Sequence, residues 1–145
     1  SVDPTLLAEI SPNREELVGG LRGLTYLLHH LAPVFLLCDI RDLGSWLGDR
    51  APAEPSEVAT VQSTRSRLLE AAEFTPTMYL YDSHPGGIGL AEAIFQLLPD
   101  LLRRARETLA ACPCRWGCPS CVGPVNEVGR RAKAIASQIV KRLVE

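Results

Sequence analysis

The chain has 145 residues, an apolar share of 46% and a formal net charge of −2, enough for one domain with a real core and too apolar for a disordered segment. No apolar run reaches the roughly 18–20 residues that a membrane helix needs. Residues 1–10 lack the basic stretch and apolar run of a secretory signal, so neither a membrane span nor export is expected.

The charge is unevenly spread. Residues 1–100 carry 6 Lys/Arg against 14 Asp/Glu, whereas residues 101–145 carry 9 against 3. A basic C-terminal third on an acidic body suits a phosphate-facing surface, although a solvated basic helix face reads the same way. Arg outnumbers Lys 13 to 2, which points to a high-GC, bacterial source. The chain does not start with Met, as expected of a piece of a longer protein. Five Cys is an odd count, and four fall within ten residues. A secreted disulfide framework spreads an even number along the chain, so a reducing cytoplasm fits better.

In chain order, Ser11-Pro12-Asn13 opens a helix, with Asn13 and Glu16 spaced as a capping box. Leu17, Leu21, Leu24, Leu28 and Leu31 recur at helical spacing and form its apolar face. Pro33 is expected to end it. Val34 to Cys38, apolar throughout and too short for a helix, reads as a buried strand with Cys38 a buried thiol. Residues 39–48, rich in turn formers, read as a loop. Residues 49–57 look like an exposed linker and 58–73 like a helix.

Thr77 to Tyr81 alternates and is aromatic-rich, which predicts a strand. Gly86-Gly87 then turns the chain into a helix over about 88–98. Pro99 suits the first turn of a separate helix whose inner face is Leu101, Leu102, Ala105 and Leu109. Asn126 is expected to cap a last helix with Val128, Ala132, Ile135, Ile139 and Leu143 inward. The sum is an α/β chain, more closely a helix-dominated α+β fold. A sheet of two or three strands lies under four or five helices, with the cysteine loop between the last ones.

The cysteines run Cys112-x-Cys114-x3-Cys118-x2-Cys121. Zinc favours four thiolates in a tetrahedron with Zn–S near ~2.3 Å, and short loops between ligands keep the ordering entropy low. Cys118-Pro-Ser-Cys121 is a two-residue knuckle of the common zinc type. Pro113 and Pro119 stiffen it, and Gly117 permits the sharp turn before Cys118. Four thiolates exceed the charge of a divalent ion, and Arg115 inside the loop is placed to offset the surplus. One structural zinc is therefore expected. An iron–sulfur cluster and a disulfide or redox pair remain as alternatives, whereas a catalytic zinc needs an open fourth position.

The segment Tyr81-Asp82-Ser83-His84-Pro85-Gly86-Gly87-Ile88-Gly89 leads from strand to helix, a junction that can offer backbone N–H groups to an anion. It lacks the Gly-Lys-Ser/Thr of a phosphate loop and the third glycine of a dinucleotide fingerprint. Asp82, Ser83 and His84 are adjacent, and neighbours on extended chain point opposite ways, which disfavours a catalytic trio. A tight structural turn is expected. Asp39, Asp42 and Asp82 follow two expected strands and would suit Mg²⁺ if they converged, the basis of a nuclease alternative.

Three segments together resemble one family. Cys38-Asp39-Ile40-Arg41-Asp42-Leu43-Gly44, the glycine turn at 79–89 and the cysteine cluster at 112–121 occur in this order in the zinc-binding C-terminal domain of MrfA-type helicases, RecQ-like enzymes of superfamily two. The resemblance covers about residues 13–144. It implies that the four cysteines carry zinc. It also implies a C-terminal module of an ATP-dependent, 3′-to-5′ DNA helicase in DNA repair. The ATP-binding and hydrolysing motor would lie elsewhere in the polypeptide, and the fragment alone would not be an enzyme.

The resulting expectation is a single zinc-binding domain over 1–145 that contacts single-stranded or 3′-tailed DNA and the motor domains, in the bacterial cytoplasm at the nucleoid. Arg103, Arg104, Arg106, Arg115, Arg130, Arg131 and Lys133 are candidate phosphate contacts. Trp116 is placed either to stack on an unpaired base or to pack on the zinc loop. An interaction or scaffold module without DNA affinity is the rival reading.

Overall fold

The computed structural model describes residues 2–48 and 75–145; the expected linker at 49–57 and helix at 58–73 lie outside the described residues. Helix α1 (Pro4–Ile10) starts at Asp3, whose carboxylate accepts the Thr5 N–H at 2.8 Å, with Pro4 at the first helical position. The Asp-Pro pair was a legible start signal, since such a cap satisfies an orphan donor and proline needs none there. The long α2 (Arg14–Leu36) opens on Asn13, whose side chain accepts from the N–H groups of Glu15 and Glu16. The capping box is relayed. Asn13 N–H donates to Ser11 Oγ at 3.1 Å, and Ser11 in turn donates to Glu16 at 3.1 Å.

α2 carries the core: Leu17, Leu21, Leu24 and Leu28 are buried, as their spacing predicts. Contrary to the sequence reading, Pro33 does not end the helix, and 34–38 is not a buried strand. The helix runs one turn further to Leu36, and Leu37 closes it in the left-handed region (φ 53°). Val34 and Leu37 are exposed and Cys38 is half-buried. A proline here removes one donor, the N–H that would reach the His29 carbonyl, while its own carbonyl still accepts the Leu37 N–H that closes the helix.

The strand instead falls on residues read as loop. β1 (Leu43–Gly48) pairs antiparallel with β2 (Thr77–Asp82), from Leu43 opposite Asp82 to Gly48 opposite Thr77. Glycines weaken a strand by propensity, but here they admit aromatic rings. A Cβ at Gly44 would sit 2.2 Å from the Tyr81 ring, and one at Gly48 1.7 Å from the Trp46 ring. Trp46 and Tyr79, directly opposite, bring their rings to 5.3 Å, the kind of cross-strand pair that stabilises a ribbon. His29 Nε2 lies 3.0 Å from the Leu43 carbonyl and ties α2 to the hairpin.

Where two helices were expected around Pro99, one helix α3 (Leu90–Ala111) runs through it. Ile94 before the proline and Leu101, Ala105 and Leu109 after it are all buried, so packing on both sides outweighs the ~3 kcal/mol cost of an interior proline. The C-terminal segment breaks once. The short α4 (Val125–Val128) and α5 (Ala132–Val144) are separated at Gly129, and Asn126 lies within α4 rather than capping α5. Ala132, Ile135 and Ile139 of α5 are buried as expected, with Ala136 and Val140 beside them, while Leu143 is exposed. Among the described residues the fold is helix-dominated, with five helices and a two-stranded antiparallel sheet. No helix among the described residues is long and apolar enough to cross a membrane.

Candidate metal centre

The cysteine loop hangs from the end of α3. Cys112 is that helix's C-cap, its N–H donating to Thr108 O at 3.0 Å, so the first sulfur is positioned by helical backbone. The second pair sits on a tight knuckle in which Cys121 N–H and Gly123 N–H both donate to Cys118 O, at 2.9 and 3.0 Å. Gly117 has φ 143°, and a Cβ there would stand 2.7 Å from Val122 Cγ2. Only glycine gives both that turn and that clearance.

The four sulfurs converge. Cys112 Sγ lies 3.5 Å from Cys114 Sγ and from Cys118 Sγ, Cys114 to Cys121 is 3.5 Å, and Cys118 to Cys121 is 3.7 Å. All four ligand atoms lie within 4.8 Å of one another, the group among the described residues suited to a metal. A tetrahedron with ~2.3 Å Zn–S bonds has edges near ~3.8 Å, whereas a disulfide needs ~2.05 Å. The spacing therefore fits one ion and not a disulfide. A polynuclear cluster would also spread its sulfurs wider. Burial pushes the Cys121 thiol up to about 12, so a cation is what makes it a thiolate.

The loop is clamped to the rest of the fold from two sides. On α2, Gly19, Gly20 and Gly23 form a bare stripe. Added Cβ atoms there would stand 2.2 Å from Val128 O, 2.3 Å from Ile135 Cγ2 and 2.8 Å from Val122 Cβ. Tyr26, one turn on, donates its hydroxyl to Pro119 O in the knuckle at 2.9 Å. From α5, Lys133 Nζ donates to Cys112 O at 2.7 Å and Cys114 O at 2.6 Å. Sequence reading missed Tyr26 and the stripe, although a Gly-Gly-x-x-Gly run on an apolar helix face is a sign of close helix approach.

The candidate DNA residues separate by environment. Arg103 pairs with Asp100 at 2.6 Å, Arg104 with Glu107 at 3.2 Å and Arg131 with the half-buried Glu16 at 3.7 Å, the three arginines being exposed. Arg106 and Arg130 are exposed and make no ion pair among the described residues. Trp116 is 40% exposed at the loop tip, with the Arg115 guanidinium 4.5 Å from its ring centroid. Arg115 thus stacks on Trp116, and the cation engaged with the cysteine backbone is Lys133 rather than the expected Arg115. Lys133 is turned inward and is spent on that loop.

At the other end of α3, the carboxylates considered for Mg²⁺ are each engaged separately. Asp39 caps a 3-10 turn over Ile40–Asp42, binding Arg41 through both its oxygens. The Arg41 side chain and N–H hold Asp39 well below the usual range, at about 2. Asp42 accepts from Asp39 N–H and lies 3.0 Å from His84 Nε2. Asp82 accepts from the N–H groups of Ile88 and His84, which lower its pKa, Ile88 foremost. His84 bonds to Asp42, and Ser83 contributes its backbone N–H to Asp42 O at 2.9 Å. The first two signature segments thus form one structural knot, consistent with the tight turn expected.

Comparison with known proteins agrees with this geometry. The family of the MrfA Zn-binding domain matches residues 24–122. The chain is 33% identical over 123 residues to the ATP-dependent helicase YprA of Bacillus subtilis, covering 85% of this chain and 14% of that protein. It is 28% identical over 129 residues to protein MJ1572.1 of Methanocaldococcus jannaschii, covering 86% of this chain and 99% of that one. Among solved structures it resembles the DUF1998 helicase MrfA bound to DNA, with TM-score 0.63 and 30% identity over 99% of this chain and 15% of that one. The complex of MrfA with DNA and AMPPNP matches at TM-score 0.58 and 31% identity, over 88% of this chain and 14% of that one. The chain thus spans about a seventh of YprA and MrfA, and it belongs to the MrfA Zn-binding domain family, its clustered cysteines fitting one structural zinc.

Proposed function

We propose that this chain is the C-terminal zinc module of an ATP-dependent DNA helicase that moves 3′ to 5′ and acts in DNA repair. In this reading Cys112, Cys114, Cys118 and Cys121 ligate one zinc. The module contacts single-stranded or 3′-tailed DNA beside the motor domains of the same polypeptide, in the bacterial cytoplasm at the nucleoid. ATP binding and hydrolysis belong to those motor domains. The supporting observation is the likeness of nearly the whole chain to part of MrfA bound to DNA. The basic C-terminal third supplies the charge.

Arg106 and Arg130, free of ion pairs among the described residues, are the foremost phosphate contacts, with Arg103, Arg104, Arg115 and Arg131 beside them. Trp116, stiffened by Arg115 and by the zinc loop on either side, presents a ring for a base, worth ~1–3 kcal/mol on stacking. Fluorescence anisotropy with single-stranded and 3′-tailed DNA across a salt series tests this. Affinity should fall with salt, with a logarithmic slope of about −0.7 per phosphate neutralised. The double variant Arg106→Ala, Arg130→Ala should flatten that slope, and Trp116→Ala should weaken binding with little change in slope. No binding at low salt would sink the DNA role.

A second reading, an interaction module without DNA affinity, is favoured by MJ1572.1, a relative that this chain covers over 99% of its length. Exposed Ile88, in the turn before α3, and Phe95, in its second turn, suit a docking face. It predicts association with separately made motor domains and no anisotropy change with DNA. The nuclease reading has little left to stand on, because Asp39, Asp42 and Asp82 are taken up by capping, His84 and backbone amides.

A further inference from the structure

Lys133 stands out because an ammonium group rarely turns away from water toward backbone carbonyls without a purpose. It is half-buried in the first turn of α5, and its Nζ meets Cys112 O at 2.7 Å and Cys114 O at 2.6 Å. Both acceptors belong to the first pair of cysteines, the pair that no knuckle hydrogen bond orders. The second pair has Cys118 O as its own hub, accepting from Cys121 and Gly123. The second half of the site is thus ordered by its own backbone, whereas the first, beyond the α3 cap at Cys112, also takes a side chain arriving from 19 and 21 residues away.

Charge points the same way. Four thiolates around a divalent ion leave an excess of about two negative charges in a half-buried loop. The Arg115 guanidinium lies over Trp116, and Arg131, two residues before Lys133, pairs with Glu16. Lys133 is the cation whose charge is held against the ligand backbone. It also sits where α5 docks: Ile135, two residues on, meets the bare stripe of α2 at Gly20.

We propose that Lys133 is a positioning residue of the zinc centre. It fixes the backbone of Cys112 and Cys114 so that their sulfurs face the second pair, offsets the surplus thiolate charge, and links ion retention to the seating of α5. This does not depend on the DNA-binding reading, and it survives if that reading fails.

The test is zinc affinity by competition with a chromophoric chelator on Lys133→Met, Lys133→Gln and Lys133→Arg, with the ligand-field spectrum of the cobalt-loaded proteins as a second readout. Lys133→Met should lose about 10–100-fold in zinc affinity, the range seen when a group supporting metal ligands is removed, and its cobalt spectrum should depart from that of a regular four-thiolate site. Lys133→Gln, which keeps donors but not charge, should fall between Met and wild type. Lys133→Arg should recover most of the affinity. Arg131→Met, which breaks an α5 contact to α2 without touching the loop, separates positioning from plain helix docking. Wild-type affinity in Lys133→Met would overturn the proposal, as would an equal loss in Arg131→Met with unchanged cobalt spectra in both. If Lys133→Met does not fold, the order of Gln and Arg decides: no difference between them and wild type overturns it.

Discussion

Two loops flank α3, and they solve the same problem with different chemistry. Each contains glycines at positive φ, Gly86, Gly87 and Gly89 at its start and Gly117 and Gly123 beyond its end, so neither continues a helical or strand ladder and each has only isolated turn bonds of its own. The loop at the start is held by a carboxylate: Asp82 gathers the amides of His84 and Ile88, while Asp42 and His84 close the knot. The loop at the end converges four sulfurs on one point. The first anchor is exposed and made of single hydrogen bonds. The second is half-buried and draws on a metal, with α2 and α5 clamped onto it. The difference teaches where the stability should reside: losing the metal anchor should open the junction of three helices, whereas losing Asp82 should loosen one turn.

The largest effect is therefore expected at the cysteines. Cys121→Ser, or removal of zinc by a strong chelator, should cost more than ~4 kcal/mol of stability, the size reserved for losses such as a structural metal. Thermal melting followed by circular dichroism, with bound zinc measured alongside, checks it. A melt unchanged on stripping the metal would break the comparison outright.

Next comes the stripe that lets α2 reach the metal-bearing end. Gly19→Ala drives a Cβ to 2.2 Å from Val128 O, a backbone atom that cannot swing aside. Overpacking of this kind costs ~1–3 kcal/mol, readable as a lower urea midpoint at unchanged slope. A neutral result would mean that α4 yields, and that the clamp is softer than its geometry suggests.

A smaller change is expected for Tyr26→Phe, which removes only the hydroxyl bond to Pro119 O. Because that carbonyl can turn to water, ~0.5–1 kcal/mol is the expected loss. Slower zinc uptake without a change in zinc stoichiometry would sharpen the role of Tyr26 as a tether of the knuckle.

The smallest global effect belongs to the other loop. Asp82→Asn should leave the melt nearly unchanged while the Ile88 and His84 amides exchange faster with deuterium. The pH dependence has a definite sign. Asp82 and Asp39 both have lowered folded pKa values, so their contributions are complete above the ordinary carboxylate value of 3.8. They are lost as pH falls through the folded values, for Asp39 between 3.8 and about 2. The His84 and Ile88 amides should lose protection as the pH falls below 3.8 and Asp82 takes up its proton. Retained protection throughout would show that the turn does not rely on its carboxylates.

How much of this was legible beforehand follows the range of the interactions. The cysteine cluster was readable because its ligands lie within ten residues and their chemistry is indifferent to the surrounding fold. The leucine face of α2 and the β2 strand were readable for a similar reason, since one periodicity spans each segment. Pro33 and Pro99 misled because a proline lowers local propensity, but buried side chains on both sides of Pro99 decide the outcome. β1 was hidden because Gly44 and Gly48 look like turn residues until Tyr81 and Trp46 are seen lying over them.

Spacing along the chain is enough to gather four sulfurs and to give the helices their leucine faces. Packing settles which cation serves the cysteine loop, that Tyr26 and a bare glycine stripe grip it, and that Asp42 and Asp82 close a turn. Each of those facts joins residues far apart in the chain, from 19 positions for Lys133 and Cys114 through 93 for Tyr26 and Pro119 to 115 for Gly20 and Ile135. No local pattern encodes such a meeting, because it follows from how whole helices pack.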